Sequence, residues 1–164
     1  MAETQRKLLP TLLERLTDDE PANTRETAQQ RLLSGQGLRQ SLVRDLEWLF
    51  NTTALGATQD LSDYPEVAAS VLNYGLPTLT GQTLSTLDPA RLERQLREVL
   101  VRFEPRILSG VRVRVVRDDE RMDASALRFD LEGELHAQPA PLYLLLRTEV
   151  DTATNAANIQ DLSG

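Results

Sequence analysis

An α+β fold, with N-terminal helices packed on a C-terminal antiparallel sheet of about three strands, is predicted by three observations. Apolar residues recur at helical spacing before residue 104, most clearly at Leu92, Leu96, Val99, Leu100 and Phe103. After it the period becomes two, with Val111, Val113 and Val115 alternating with Arg112 and Arg114. Between the two regimes stands Phe103-Glu104-Pro105-Arg106. Its proline has no N–H and disfavours helical geometry at the preceding residue, so the helix stops there.

The elements follow in order. Leu8, Leu9, Leu12, Leu13 and Leu16 have helical spacing, and Pro21 prevents continuation. A second short helix is predicted over 24–33, but its apolar content is thin. Residues 1–35 therefore read as a helical arm that needs a partner to fix it. Ser34-Gly35-Gln36-Gly37 reads as a loop. Leu38, Leu42, Leu46 and Leu49 then share a helix face, widened by Val43 and Phe50 and ended by Asn51, with Trp48 as a core or half-core anchor. Pro65 opens a short helix through Leu72 that turns Val67, Val71 and Leu72 inward. Asn73-Tyr74-Gly75-Leu76-Pro77 is a stiff turn in which Gly75 is free to take positive φ.

Asp88-Pro89 supplies an N-cap and a first-turn proline for the best helix of the chain. Glu93 with Arg97 and Glu98 with Arg102 have the i,i+4 order that stabilises an exposed helix face by roughly 0.2–0.5 kcal/mol per pair. The valine strand follows. A second strand is predicted from Leu127, Phe129 and Leu131 alternating with Arg128, Asp130 and Glu132. Leu142-Tyr143-Leu144-Leu145-Leu146 is apolar at every position, as a covered or central third strand would be. Residues 36–150 make one domain, and the small polar residues 151–164 read as a flexible tail.

Composition narrows the function. The chain has 164 residues, 40% hydrophobic and 26% charged, enough for one core. It has no cysteine, which removes disulfides and thiolate metal sites. No apolar run approaches the roughly 20 residues of a membrane span, and the polar start Met1–Lys7 does not read as a signal peptide, so the cytoplasm is the expected compartment. A net charge of −7 argues against nucleic acid as the main partner. The charge is uneven: residues 91–117 carry eight arginines against three acids, and residues 118–134 carry seven acids against two arginines. That is either a solvated helix face beside an acidic turn or a polarised surface that orients the protein in an assembly.

Catalytic chemistry is poorly supplied. His136 is the single histidine, in a loop and without a thiol to pair with. Asp118, Asp119, Glu120 and Asp123 are dense, but lack the ligand alternation and mid-loop glycine of a calcium loop. Ser34-Gly35-Gln36-Gly37 has neither the preceding strand nor the lysine of a phosphate cradle. With 4% aromatics, a sugar-stacking cleft would be hard to build. The expectation is no enzyme, no cofactor and no metal.

Glu104 and Arg106 flank an abrupt corner and have two readings. They form a private ion pair that braces it, or they present a docking site, with Pro105 fixing the direction in which Arg106 points.

Several ordered segments carry a family resemblance: Leu12-Leu13-Glu14-Arg15-Leu16, the run Leu42 to Thr52, Ser70 to Pro77, and Phe103-Glu104-Pro105-Arg106 before a valine strand. Together they resemble the TssE family of type VI secretion baseplate subunits, itself similar to the lysozyme-like wedge proteins of contractile phage baseplates. The resemblance implies a wedge-like domain over 36–150 and a structural role. One surface, associated with Glu104, Pro105 and Arg106, would dock on the wedge proteins TssF and TssG. Another would template the sheath proteins TssB and TssC. Strand addition at a sheet edge is a physical route to the latter, at Val111, Arg112, Val113, Arg114 and Val115 or at 142–150. Arg112 and Arg114 would favour an acidic incoming strand. A regulatory binding module like the stress anti-adaptors is the alternative, and a peptidoglycan hydrolase a more distant one.

Overall fold

The structure, a computed structural model, describes residues 11–17, 33–78, 88–108, 110–116, 126–137, 140–154 and 156–163. Its elements run α1 (Leu12–Leu16), α2 (Gly35–Phe50), α3 (Pro65–Ala69), α4 (Pro89–Phe103), β1 (Arg112–Val116), β2 (Ala126–Leu135), β3 (Leu142–Asp151) and β4 (Ala157–Asp161), with short 3-10 turns at Leu55–Ala57 and Val71–Asn73. The four strands form one antiparallel sheet in the order β1-β2-β3-β4. The fold is α+β, as expected, with four strands in place of about three.

One face of the sheet is the core. Period-two alternation places Leu127, Phe129, Leu131 and Leu135 of β2 on the same side as Leu142, Leu144, Leu146 and Val150 of β3. Against them lie Leu38, Leu42, Leu46, Leu49 and Phe50 of α2, and Leu92, Leu96 and Leu100 of α4. Each such side chain contributes about 1.5–3 kcal/mol by leaving water. Phe50 meets Phe129 edge to face at 5.5 Å, joining helix layer to sheet. Helix α2 lies along β4 and α4 along β1.

Local chemistry explains the element ends. Asp88 caps α4 by accepting from Ala90 N–H, with Pro89 in the first turn. Gly75 takes φ 121°, and a Cβ there would lie 2.3 Å from Thr52 C=O. That close approach lets Leu76 exchange two backbone hydrogen bonds with the stretch after α2, Leu76 N–H to Thr52 C=O and Ala54 N–H to Leu76 C=O, both 2.8 Å.

Several expectations need correction. Helix α2 begins at Gly35, inside the expected loop, because Ser34 Oγ accepts from Gly37 N–H and caps it. The expected flexible tail contains β4, which completes the sheet through Ile159 opposite Thr148. Asp151 Oδ1 fixes the preceding turn by accepting from Ala153 and Thr154 N–H at 2.7 and 3.0 Å. Val71 and Leu72 are exposed, since the helix gives way to a 3-10 turn after Ala69. Trp48 is 52% exposed, not a core anchor, and stacks under the Arg44 guanidinium at 5.5 Å. Strand β3 is central but solvated on one face, where Tyr143, Arg147 and Glu149 alternate with the core positions. Neither expected i,i+4 pair of α4 forms: Glu93 accepts from Val115 N–H, and Arg102 donates to Ala68 C=O. All of the helix predicted over 24–33 except Leu33, and the acids at 118–123, lie outside the described residues.

Candidate functional site

Pro105 converts the end of α4 into a tight turn. Glu104 N–H closes the helix on Leu100 C=O at 2.8 Å, and Ile107 N–H reaches back to Glu104 C=O at 3.1 Å, with Pro105 and Arg106 between. The turn is then tied to the end of β2. His136 N–H donates to Arg106 C=O at 2.7 Å, and Leu108 N–H to Glu134 C=O at 2.8 Å. Pro105 itself is exposed.

The side chains close on each other. Arg106 Nε and Nη2 bind Glu104 Oε1 and Oε2 at 2.6 and 2.5 Å, a bidentate pair. Nη2 also reaches Asp45 Oδ2 at 2.7 Å, and Nη1 reaches Ser41 Oγ at 3.1 Å. Glu104 Oε1 further accepts from Arg106 N–H. The guanidinium thus turns inward onto α2, with its side chain 20% exposed and that of Glu104 6%. Burial disfavours the arginine's charge, but Glu104 and Asp45 outweigh it and hold its pKa above the ordinary value.

A second arginine extends this cluster to α1. Arg44 binds Asp45 Oδ1 at 3.0 Å and approaches Glu14 Oε1 at 3.7 Å. Glu14 is also the reciprocal partner of Thr11 in a capping box. Burial pushes its carboxyl up, yet the Thr11 N–H, the hydroxyls of Ser41 and Thr11 and the Arg44 charge leave it net below its ordinary range. Helix α1 is therefore held by its polar face while Leu12, Leu13 and Leu16 face solvent. Tyr74 closes the other side, its hydroxyl 3.4 Å from Asp45 C=O and its ring edge-on to Phe103. Burial first, then the Asp45 and Glu104 charges, raise its pKa.

The family model of baseplate wedge protein gp25 matches residues 36–140. The chain belongs to this family. The match spans α2 to the end of β2, and so contains both the Glu104–Arg106 corner and β1. No curated protein and no solved structure matches the chain. Membership in the gp25 family carries a structural role in a baseplate, and assembly with other baseplate components.

The second set of predicted positions is β1. In the gp25-family sheet seen here, β1 is an outer strand, paired along one side with β2 only, from Arg112 opposite Glu132 to Val116 opposite Arg128. The alternative edge, 142–150, is excluded: β3 lies between β2 and β4 and has partners on both sides. Arg112 and Arg114 point to the solvated face, where Arg112 makes a long 3.9 Å contact with Glu132. The corner and β1 lie on different elements, and no described contact joins Arg106 to the strand.

Sequence reasoning missed Ser41, Asp45, Arg44 and Glu14. Ser41 was the one available signal, a buried polar residue on the leucine-rich face of α2. Among the described residues no three of His, Asp or Glu gather as a metal site, and no helix is long and apolar enough to cross a membrane.

Proposed function

We propose that this protein is a non-catalytic baseplate component of a contractile type VI secretion system, docking on the wedge subunits TssF and TssG and templating the TssB–TssC sheath by strand pairing. Its site of action would be the cytoplasmic side of that machine. The observation that carries the reading is the gp25-family match over 36–140, which includes the braced corner. Docking here uses the corner as a rigid shape. Arg106 makes its bonds within the chain, so the partner meets exposed Pro105 and the outer rim of the ion cluster at Arg44 and Asp45.

The test is co-purification with TssF and TssG. Pro105→Arg places a long charged side chain on the exposed corner without touching the cluster. With the fold retained, as a cooperative melting transition would report, it should abolish recovery of the wedge proteins. Undiminished recovery would remove the corner from the docking surface.

A further inference from the structure

Each outer strand of the sheet is closed by one side chain from the helix lying along it. On β4, Asn51 at the end of α2 pairs with Ala157 as a backbone would: Nδ2 donates to Ala157 C=O at 3.1 Å, and Ala157 N–H donates to Oδ1 at 2.9 Å. On β1, Glu93 of α4 accepts from Val115 N–H at 2.9 Å. Because backbone groups alternate sides along a strand, Val115 and Val113 both aim their N–H and C=O away from β2. The two closures are unequal. Asn51 satisfies the donor and acceptor of Ala157 together, whereas a carboxylate can only accept, so Glu93 leaves Val115 C=O without a hydrogen-bond partner among the described residues.

We propose that Glu93 is a displaceable latch on β1, holding the edge shut until an incoming strand replaces its carboxylate on Val115 N–H. This rests on the strand-pairing reading above and supplies its control. In the chain alone the carboxylate occupies the outward N–H of Val115 and so shortens the open row of unpaired groups that would invite indiscriminate association. The occupant is an extended segment of a partner with acidic residues at alternate positions. Arg112, its side chain 76% exposed, and Arg114 stand on the solvated face beside the position the new strand would take. Strand β4 offers no such charge, carrying Asn158 and Gln160 on that face. The partner's carbonyl would take over the Val115 N–H, its N–H would meet Val115 C=O, and Glu93 would return to water. No covalent step is involved.

The test compares wild type with Glu93→Ala, which removes the latch, and Glu93→Gln, which keeps an acceptor oxygen but no charge. Hydrogen exchange at the Val115 amide of the protein alone should accelerate in Glu93→Ala and stay near wild type in Glu93→Gln. Binding of purified TssB–TssC should tighten about tenfold in Glu93→Ala, the scale of one competing charge-assisted hydrogen bond. Glu93→Gln, whose neutral oxygen is a weaker competitor, should tighten binding by clearly less than Glu93→Ala. Equal tightening by both variants would assign the effect to charge and overturn the latch. Equal binding by all three, with binding lost on joint Arg112→Glu and Arg114→Glu substitution, would overturn the latch alone. Binding by none of them would overturn the strand-pairing reading and the latch with it.

Discussion

Arg106 and Glu104 face each other across Pro105 as a two-point ion pair, at 2.6 and 2.5 Å, in which Glu104 is almost wholly buried. The pair orients a loop between helix and sheet, and Asp45 and Ser41 anchor the same guanidinium to α2, 61 and 65 residues earlier. One arginine thereby fixes the relative placement of α2, the end of α4 and the start of the sheet.

Removing that arginine leaves a buried carboxylate without its counter-charge. Arg106→Ala should cost about 3 kcal/mol in urea unfolding, the scale for breaking a buried pair from one side. Joint replacement by Glu104→Gln and Arg106→Met, which leaves no orphaned charge, should recover more than half of it. A double variant no more stable than Arg106→Ala would show that an orphaned Glu104 charge is not the source of the loss. Loss of wedge binding in Arg106→Ala alone therefore cannot be read as loss of a contact.

Thr148 sits on the core face of β3, fully buried, and its hydroxyl has no hydrogen-bond partner among the described residues. Thr148→Val keeps the shape and β-branching while removing the unsatisfied group. Stability should rise by about 1 kcal/mol, seen as a higher urea midpoint at constant slope. A lower midpoint would mean that the hydroxyl has a partner in solution.

Gly75 has no room for a side chain. Gly75→Ala would combine a positive φ with a Cβ 2.3 Å from Thr52 C=O. The cost should exceed about 2 kcal/mol, since strain and the loss of the Leu76 bridge act together. Amide exchange at Leu76 and Ala54 should accelerate before that of the strands. Unchanged protection there would contradict the close approach.

The pH dependence of α1 docking has a definite sign. Glu14 titrates below its ordinary value of 4.5 in the folded chain, so its ionised form is the one the fold prefers. Its contribution is fully present above that ordinary value and is lost as pH falls through the lowered folded one. Melting temperature should therefore drop more steeply between about pH 5 and 3 in wild type than in Glu14→Gln. Identical slopes would detach Glu14 from the stability of the fold.

The fold was legible where one strong local signal sufficed. Asp88-Pro89 and the leucine stripe placed α4, Gly75 placed its turn, and the valine alternation placed β1. Strand β4 escaped because its chemistry is non-local: a single buried apolar residue, Ile159, in a polar segment, paired to β3 and capped by Asn51 over a hundred residues away. Trp48 and Val71 misled because an apolar residue at helical spacing is inward only while the helix lasts and its face points to the core. At the corner, Glu104 and Arg106 are visible as neighbours. Their partners Ser41 and Asp45 are not, since nothing in either segment names the other.

Asn51 offers the last prediction, and it separates sheet completion from helix capping. Its amide also donates to Glu47 C=O inside α2 at 2.8 Å, so it serves the helix end and the strand edge at once. Asn51→Asp keeps an acceptor for Ala157 N–H but loses the donor to both carbonyls, and places a negative charge at a helix C-terminus, which is unfavourable by a few tenths of a kcal/mol or more. Asn51→Ala loses all three bonds and should cost about 1–2 kcal/mol. If Asn51 holds β4, amide exchange at Ala157 should rise strongly in the alanine variant and only weakly in the aspartate one. Equal exchange in both would show that the strand is held by its ladder to β3, and that the contact to Asn51 follows from it.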